Sequence, residues 1–210
     1  MYKRVILLVF SILSLFSASA QVSIEKLFLT MPSDILWLDQ AQRQDLFAYF
    51  KDKKINSISN NLNGYCKVVD YNEETKHLAL NTSQKGSMEL KVLGTESAPF
   101  VGVIFTVCAP ACHSGIRFYS TDWKPIEMPF PTISASDFIA IGLSEDNQAA
   151  ANRMLTPLFV RYSFEGTNKI TATCSARLFP EENGQQELKP LLKSETLTLV
   201  YQDGGWKIQQ

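Results

Sequence analysis

Five short runs of alternating apolar and polar residues between Tyr65 and Tyr119 constrain the fold of this 210-residue chain more than any other feature. They lie at Tyr65 to Tyr71, His77 to Thr82, Ser87 to Leu93, Val101 to Val107 and His113 to Tyr119. Polar clusters such as Asn72-Glu73-Glu74 and Ser83 to Gly86 separate them. A period of two puts successive side chains on opposite faces of a strand, so closely spaced runs of this kind predict an antiparallel meander. The segment before it has a helical period. Ser23 to Leu29 reads as a short helix, and Asp39 opens a longer one, with Gln42 placed to complete a capping box and Leu46, Phe47 and Phe50 forming one apolar stripe. That stripe is expected to dock on the sheet.

Pro125, Pro129 and Pro131 interrupt the pattern and predict a linker or a wrapped loop. Beyond them Ser136 to Ile141 and Ser144 to Leu155 read as helices begun by serine caps. Strands are expected at Leu158 to Glu165, Lys169 to Leu178, Thr196 to Gln202 and Trp206 to Gln209, with Asp203-Gly204-Gly205 as a tight turn. The fold class is therefore α+β, antiparallel sheets with helices packed on one face. The recurring order of two helices and a meander raises a pseudo-duplicated unit, although no residue-level self-similarity accompanies it. The boundaries that follow are a leader at 1–20, an N-terminal half at 21–126, a proline-rich connection at 127–135 and a C-terminal half at 136–210. The two halves are either separate or parts of one domain.

The leader is expected because Lys3 and Arg4 precede the apolar run Val5 to Phe16 and then Ala18-Ser19-Ala20, the plan of a cleaved signal peptide. The apolar run is too short to span a bilayer, and no cysteine lies at the junction where a lipoprotein would be acylated. An exported protein, periplasmic or extracellular and not a lipoprotein, is expected, with no membrane span in the mature chain. Losing Lys3 and Arg4 takes the 20 basic residues to 18 against 21 acidic ones, which gives no basic footprint for nucleic acid.

Val107 to Gly115, VCAPACHSG, brings Cys108, Cys112 and His113 together. If Ala109-Pro110-Ala111 is a three-residue hairpin loop, Cys108 faces Cys112, Thr106 faces Ser114, Ile104 faces Ile116 and Val103 faces Arg117. Directly opposed cysteines suit a disulfide. A four-residue loop, pairing Cys108 with His113, is the other register, since Ala111 is not the glycine such three-residue loops favour. The C-x-x-x-C-H spacing misses the haem pattern C-x-x-C-H by one residue, and it lacks the helix N-terminus that activates a thioredoxin-like C-x-x-C. Zinc would need three or four converging ligands, and the chain offers no second close pair. A structural turn is the favoured reading, and no metal or cofactor is assigned.

No G-x-S-x-G, H-E-x-x-H, P-loop, EF-hand or Rossmann fingerprint occurs, and no catalytic residue is assigned. Of Trp37, Trp123 and Trp206, two or more are expected in packing. Trp123, in FYSTDWKPI between a strand and a proline, is the one expected to be partly exposed. With Tyr119 of the same run it forms the candidate ligand-binding pair.

The leader, the paired-helix start, FTVCAPACHSGIRFYSTDWKPIEMPFP and the closing TLTLVYQDGGWKI resemble a family of uncharacterised exported proteins of Bacteroidales, one of the domain-of-unknown-function families. That resemblance implies export and carries no activity, ligand or site residue. The reading favoured overall is a non-enzymatic binding or assembly module of the cell envelope whose partner is a protein or glycan of that envelope. The alternative is a periplasmic thiol-redox or metal-dependent protein using Cys108, Cys112 and His113.

Overall fold

A computed structural model describes residues 22–53, 57–60, 64–109, 111–175 and 187–209. Among the described residues four α-helices and two antiparallel sheets make an α+β fold. The helices α1 (Ile24–Thr30), α2 (Ser33–Leu36) and α3 (Gln40–Lys51) precede a seven-stranded meander. Its strands, in spatial as in chain order, are β1 (Ser57–Ser59), β2 (Tyr65–Asn72), β3 (His77–Asn81), β4 (Gly86–Thr95), β5 (Ala98–Cys108), β6 (Cys112–Ser120) and β7 (Pro125–Ile126). After a 3-10 turn at Ala135–Asp137 and α4 (Glu145–Met154), a second sheet of β8 (Val160–Glu165), β9 (Lys169–Cys174), β10 (Thr196–Gln202) and β11 (Gly205–Ile208) closes the chain as another meander.

The expected capping box starts α3: Gln42 N donates to Asp39 Oδ1 and Asp39 N donates to Gln42 Oε1, both at 2.8 Å. Asp39→Ala is expected to lower stability by about 1 kcal/mol, read as a shift in the denaturant midpoint at unchanged slope. Leu46 and Phe47 turn inward with Ile24, Leu27 and Phe28 of α1 onto one face of the large sheet, where Cys66, Val68, Leu78, Leu80, Met88, Leu90, Val101 and Val103 receive them. Arg43, buried in this layer, donates to the carbonyls of Leu29 and Leu38 and so ties the chain ends of α1 and α2 to α3. The Glu73 carboxylate accepts from the amides of Ile24 and Glu25 and from Lys76 Nζ, which fixes the start of α1 over the β2–β3 turn.

The other face of the large sheet carries the small one. Leu93, Phe100 and Phe118 share a second core with Phe138, Leu155, Ile170, Leu199 and Trp206, and Trp206 stacks on Phe118 at 5.8 Å. Here β8 crosses β6, β5 and β4 with its free edge turned onto the larger sheet. An unpaired edge is a template for aggregation. In β8 the outward amides are satisfied by side chains: Val160 N donates to His113 Nδ1 (3.4 Å), Tyr162 N to Ser114 Oγ (3.0 Å) and Phe164 N to Glu89 Oε2 (3.2 Å). In the β8–β9 turn, Asn168 adopts a left-handed conformation, accepting from Gly94 N at 2.7 Å and donating to Gly94 O at 3.1 Å. These contacts form the seam between the sheets.

The structure departs from the sequence reading in three short elements and one helix. The helix α2, the strand β1 and the strand β7 are each too short to leave a periodic signal. Pro125 is tolerated in β7 because that strand is an edge, and Pro129 continues past it to accept from Trp206 N through its carbonyl. Ser136 to Ile141 is not an α-helix. Ser134 caps a single 3-10 turn, after which Ile139 bridges to Leu192 and Ala140 N donates to Leu191 O, so the backbone is diverted into sheet-like pairing. The second instance of the helix pair therefore contains one α-helix among the described residues. The last two residues of the strand expected at Lys169 to Leu178 and one before them lie outside those residues.

Candidate functional site

The β5–β6 hairpin has the three-residue-loop register: Cys108 opposes Cys112, Thr106 opposes Ser114, Ile104 opposes Ile116 and Val103 opposes Arg117. The sulfurs of Cys108 and Cys112 lie 2.04 Å apart, at bonding distance. Thr106 and Ser114 join their hydroxyls at 2.7 Å in a buried setting, and Ser175 Oγ accepts from Cys112 N. A bridge closing so small a loop is expected to contribute about 2 kcal/mol. Reduction of the wild type, or Cys108→Ser with Cys112→Ser, should lower the unfolding free energy by the same amount, read from the denaturant midpoint and slope, and the intact mass should rise by two hydrogens on reduction.

His113 is engaged structurally. Its Nδ1 accepts from Val160 N, and its ring meets Phe159 edge-on at 5.9 Å. The remaining cysteines are poor nucleophiles. Burial raises the Cys66 thiol against the pull of Asn60, and burial with the charge of Glu195 pushes Cys174 up to about 11. Among the described residues no group of three or more His, Cys, Asp and Glu side chains converges to hold a metal ion, and no helix is long and apolar enough to cross a membrane.

A concavity of about 710 Å³ opens on the helix-bearing face of the large sheet. The helices pack on the core residues of this face, and along β5 and β6 the alternation that puts Val101, Val103 and Tyr119 into the core continues outward to Phe105, Val107, Gly115 and Arg117. Those four residues form the floor. The short helix α2 forms the opposite wall and ends in Trp37, held left-handed at φ 56° with its amide donating to Ser33 O at 2.7 Å. A tryptophan in that backbone region is uncommon and mildly strained, a condition that clusters at functional sites. Its indole is 52% exposed and Val107 is 60% exposed, whereas most apolar side chains of this face are covered.

Two charged side chains, Asp34 and Arg117, line the groove, and neither makes an ion pair or side-chain hydrogen bond among the described residues. Gly115, directly across from Phe105, is exposed, and a Cβ built there meets nothing within 4 Å. A side chain at this position would enter only the groove. The wall on the far side is completed by Thr82 and Ser83 of the β3–β4 turn.

The residues singled out in the sequence are placed differently. Tyr119 (5% exposed) and Trp123 (8% exposed) pack on each other at 5.6 Å inside the first core, and Trp123 Nε1 donates to Thr30 Oγ1 at 3.4 Å. Trp123 is thus less exposed than its position before a proline suggested. Each still borders a smaller groove, Tyr119 one of about 470 Å³ and Trp123 one of about 440 Å³. Trp123 and Trp206 are in packing, as expected for two of the three tryptophans, and Trp37 is the exposed one. Phe105, Val107 and Arg117 had no sequence signal beyond an alternation that fails to become polar at the strand ends.

No curated protein matches the chain. A solved structure of a domain of an uncharacterized protein from Porphyromonas gingivalis W83 is similar in fold, with a TM-score of 0.71 and 21% identity, over 89% of this chain and 97% of that one. The sequence profile of a family described as a protein of unknown function spans residues 15–206, nearly the whole length, and places the chain in the DUF3256 family.

Proposed function

We propose that this protein is a non-enzymatic binding module, exported to the periplasm or cell surface, that holds an envelope component in the groove between α2 and the β5–β6 hairpin. One observation carries the reading: a single concavity gathers an exposed indole, an exposed valine and two charged side chains that have no ion pair or side-chain hydrogen bond among the described residues, on the face that carries the helices. An apolar surface with a few polar groups converging on a preformed hollow is what ligand recognition uses, and about 710 Å³ falls within the range of small-molecule sites, ~300–1,000 Å³. Export is supported by the basic and apolar leader plan of residues 1–20 and by a cysteine pair at disulfide distance, which suits an oxidising compartment.

A photo-crosslinking amino acid at Val107, compared with one at Tyr65 on the opposite sheet face, tests the reading in producing cells. Adducts are expected from Val107 and not from Tyr65. They should disappear when Gly115→Leu fills the floor, a change that the space around Gly115 lets the fold accept. Equal labelling from both positions, or adducts indifferent to Gly115→Leu, would sink the proposal. Fractionation of the same cells should find the protein outside the cytoplasm and shortened by its leader.

A further inference from the structure

We infer that the occupant of this groove is a neutral oligosaccharide. The inference rests on the groove being a binding site and goes beyond it by naming the chemistry that fits. A pyranose ring presents a C–H face and a rim of hydroxyls that both donate and accept. The groove presents the matching set: the Trp37 indole for the C–H face, the Arg117 guanidinium as a fork of donors and the Asp34 carboxylate as a pair of acceptors. Aromatic faces of this kind bury large area with little loss of side-chain freedom.

Two competing occupants fit less well. An extended peptide needs backbone partners, because its own amides and carbonyls otherwise lose their hydrogen bonds on burial. The floor of the groove has none to give, since β5 is paired on both sides, with β4 and with β6. The outer edge of β6 is also largely taken: Cys112 N donates to Ser175 Oγ, Ser114 is buried, and Phe118 and Tyr119 pair with β7. An anionic ligand would be drawn to Arg117 and opposed by Asp34 in the same hollow. One cation and one anion, unpaired with each other, favour a ligand that carries no net charge.

The test is an array of immobilised oligosaccharides, neutral hexose and N-acetylhexosamine chains beside sulfated and uronate-containing ones, probed with the mature protein carrying a fluorescent label. Binding to one or more neutral chains is expected. It should weaken at least about tenfold in Trp37→Ala and in Gly115→Leu, with circular dichroism and thermal midpoints verifying that both variants are folded. Trp37→Phe, which keeps an aromatic face, should retain part of the signal. An array that stays blank, that lights only on anionic chains, or whose signal is unchanged in Trp37→Ala overturns the inference. A protein adduct at Val107 with a blank array would remove the glycan and leave the binding groove standing, whereas failure of both would remove the groove itself.

Discussion

Gly102→Val is expected to destabilise the protein by about 3 kcal/mol, the upper part of the usual range for overpacking a core. Gly102 lies on β5 where β8 crosses the large sheet, and a Cβ there would come within 2.7 Å of both Leu93 Cδ1 and Phe164 Cζ. Leu93 is buried, and the Phe164 amide is fixed to Glu89, so neither side chain can retreat without loosening the seam. Alanine should cost less than valine, since it brings in the Cβ and its two close contacts without the further γ-methyls that valine would force into the same space. The double variant Gly102→Ala with Phe164→Leu should be less destabilised than the sum of its parts, because the second change returns the space that the first consumes. Chemical denaturation monitored by tryptophan fluorescence and by far-ultraviolet circular dichroism reads the wild type, the two Gly102 variants, Phe164→Leu alone and the double variant. Additive losses would mean that Phe164 does not fill the space above Gly102.

The same experiment bears on how the two halves of the chain relate. The first core uses α1 to α3 and one face of the large sheet, and the second uses the other face and the small sheet. Both therefore share the strands β4, β5 and β6. We propose that the halves unfold together, so that wild-type denaturation gives one transition in both probes. Opening the seam at Gly102 should then lower that single midpoint, where independent halves would split it into two.

Local order was legible because it rests on neighbours in sequence. The alternation from Tyr65 to Tyr119 gave five strands to within a few residues, Asp39 and Gln42 gave the start of α3, and of the two hairpin registers left open by the loop the structure has the one that opposes the cysteines. What could not be read depends on residues brought together from afar. The exposure of Trp37 follows from α2, a single turn whose end happens to be that tryptophan, and the burial of Trp123 follows from Thr30 lying above it. The groove exists because the helical layer covers β5 and β6 only along part of their length, over Val101, Val103 and Tyr119 and not over Val107 and Arg117, which no local pattern records. The seam is the extreme case: His113, Ser114 and Glu89 look like ordinary surface polar residues, and their task is to satisfy the edge of a strand at least 47 positions away.

Glu89 is the residue on which the electrostatics of that seam converge, and Glu89→Ala is expected to cost about 2 kcal/mol at pH 6, less than the ~3–5 kcal/mol of breaking a fully buried ion pair because His77 and Glu89 each keep 18% exposure. Asp70, Ala79 and Glu89 lie in one row across β2, β3 and β4, and His77 reaches both acids past the small side chain of Ala79. His77 Nδ1 is 3.0 Å from Asp70 Oδ2, and Nε2 is 3.5 Å from Glu89 Oε2, an ionic contact without a formed hydrogen bond. Glu89, against the effect of burial and with help from Asp70, raises the imidazole pKa above its usual value. Beside them Lys91, lowered by burial and raised by Glu89, donates to Thr75 O, and from the small sheet the Phe164 amide donates to Glu89. A raised histidine pKa means that its stabilising contribution is complete below the unfolded value of about 6.5 and is lost as pH rises through the folded value. The thermal midpoint of the wild type should therefore fall between pH 6 and pH 8.5. Glu89→Gln, which keeps an acceptor for Phe164 and removes the charge, should cost less than Glu89→Ala and should flatten that slope. If the variant and the wild type lose stability in parallel across the same interval, His77 and Glu89 are not coupled, and the seam is held by its hydrogen bonds and packing alone.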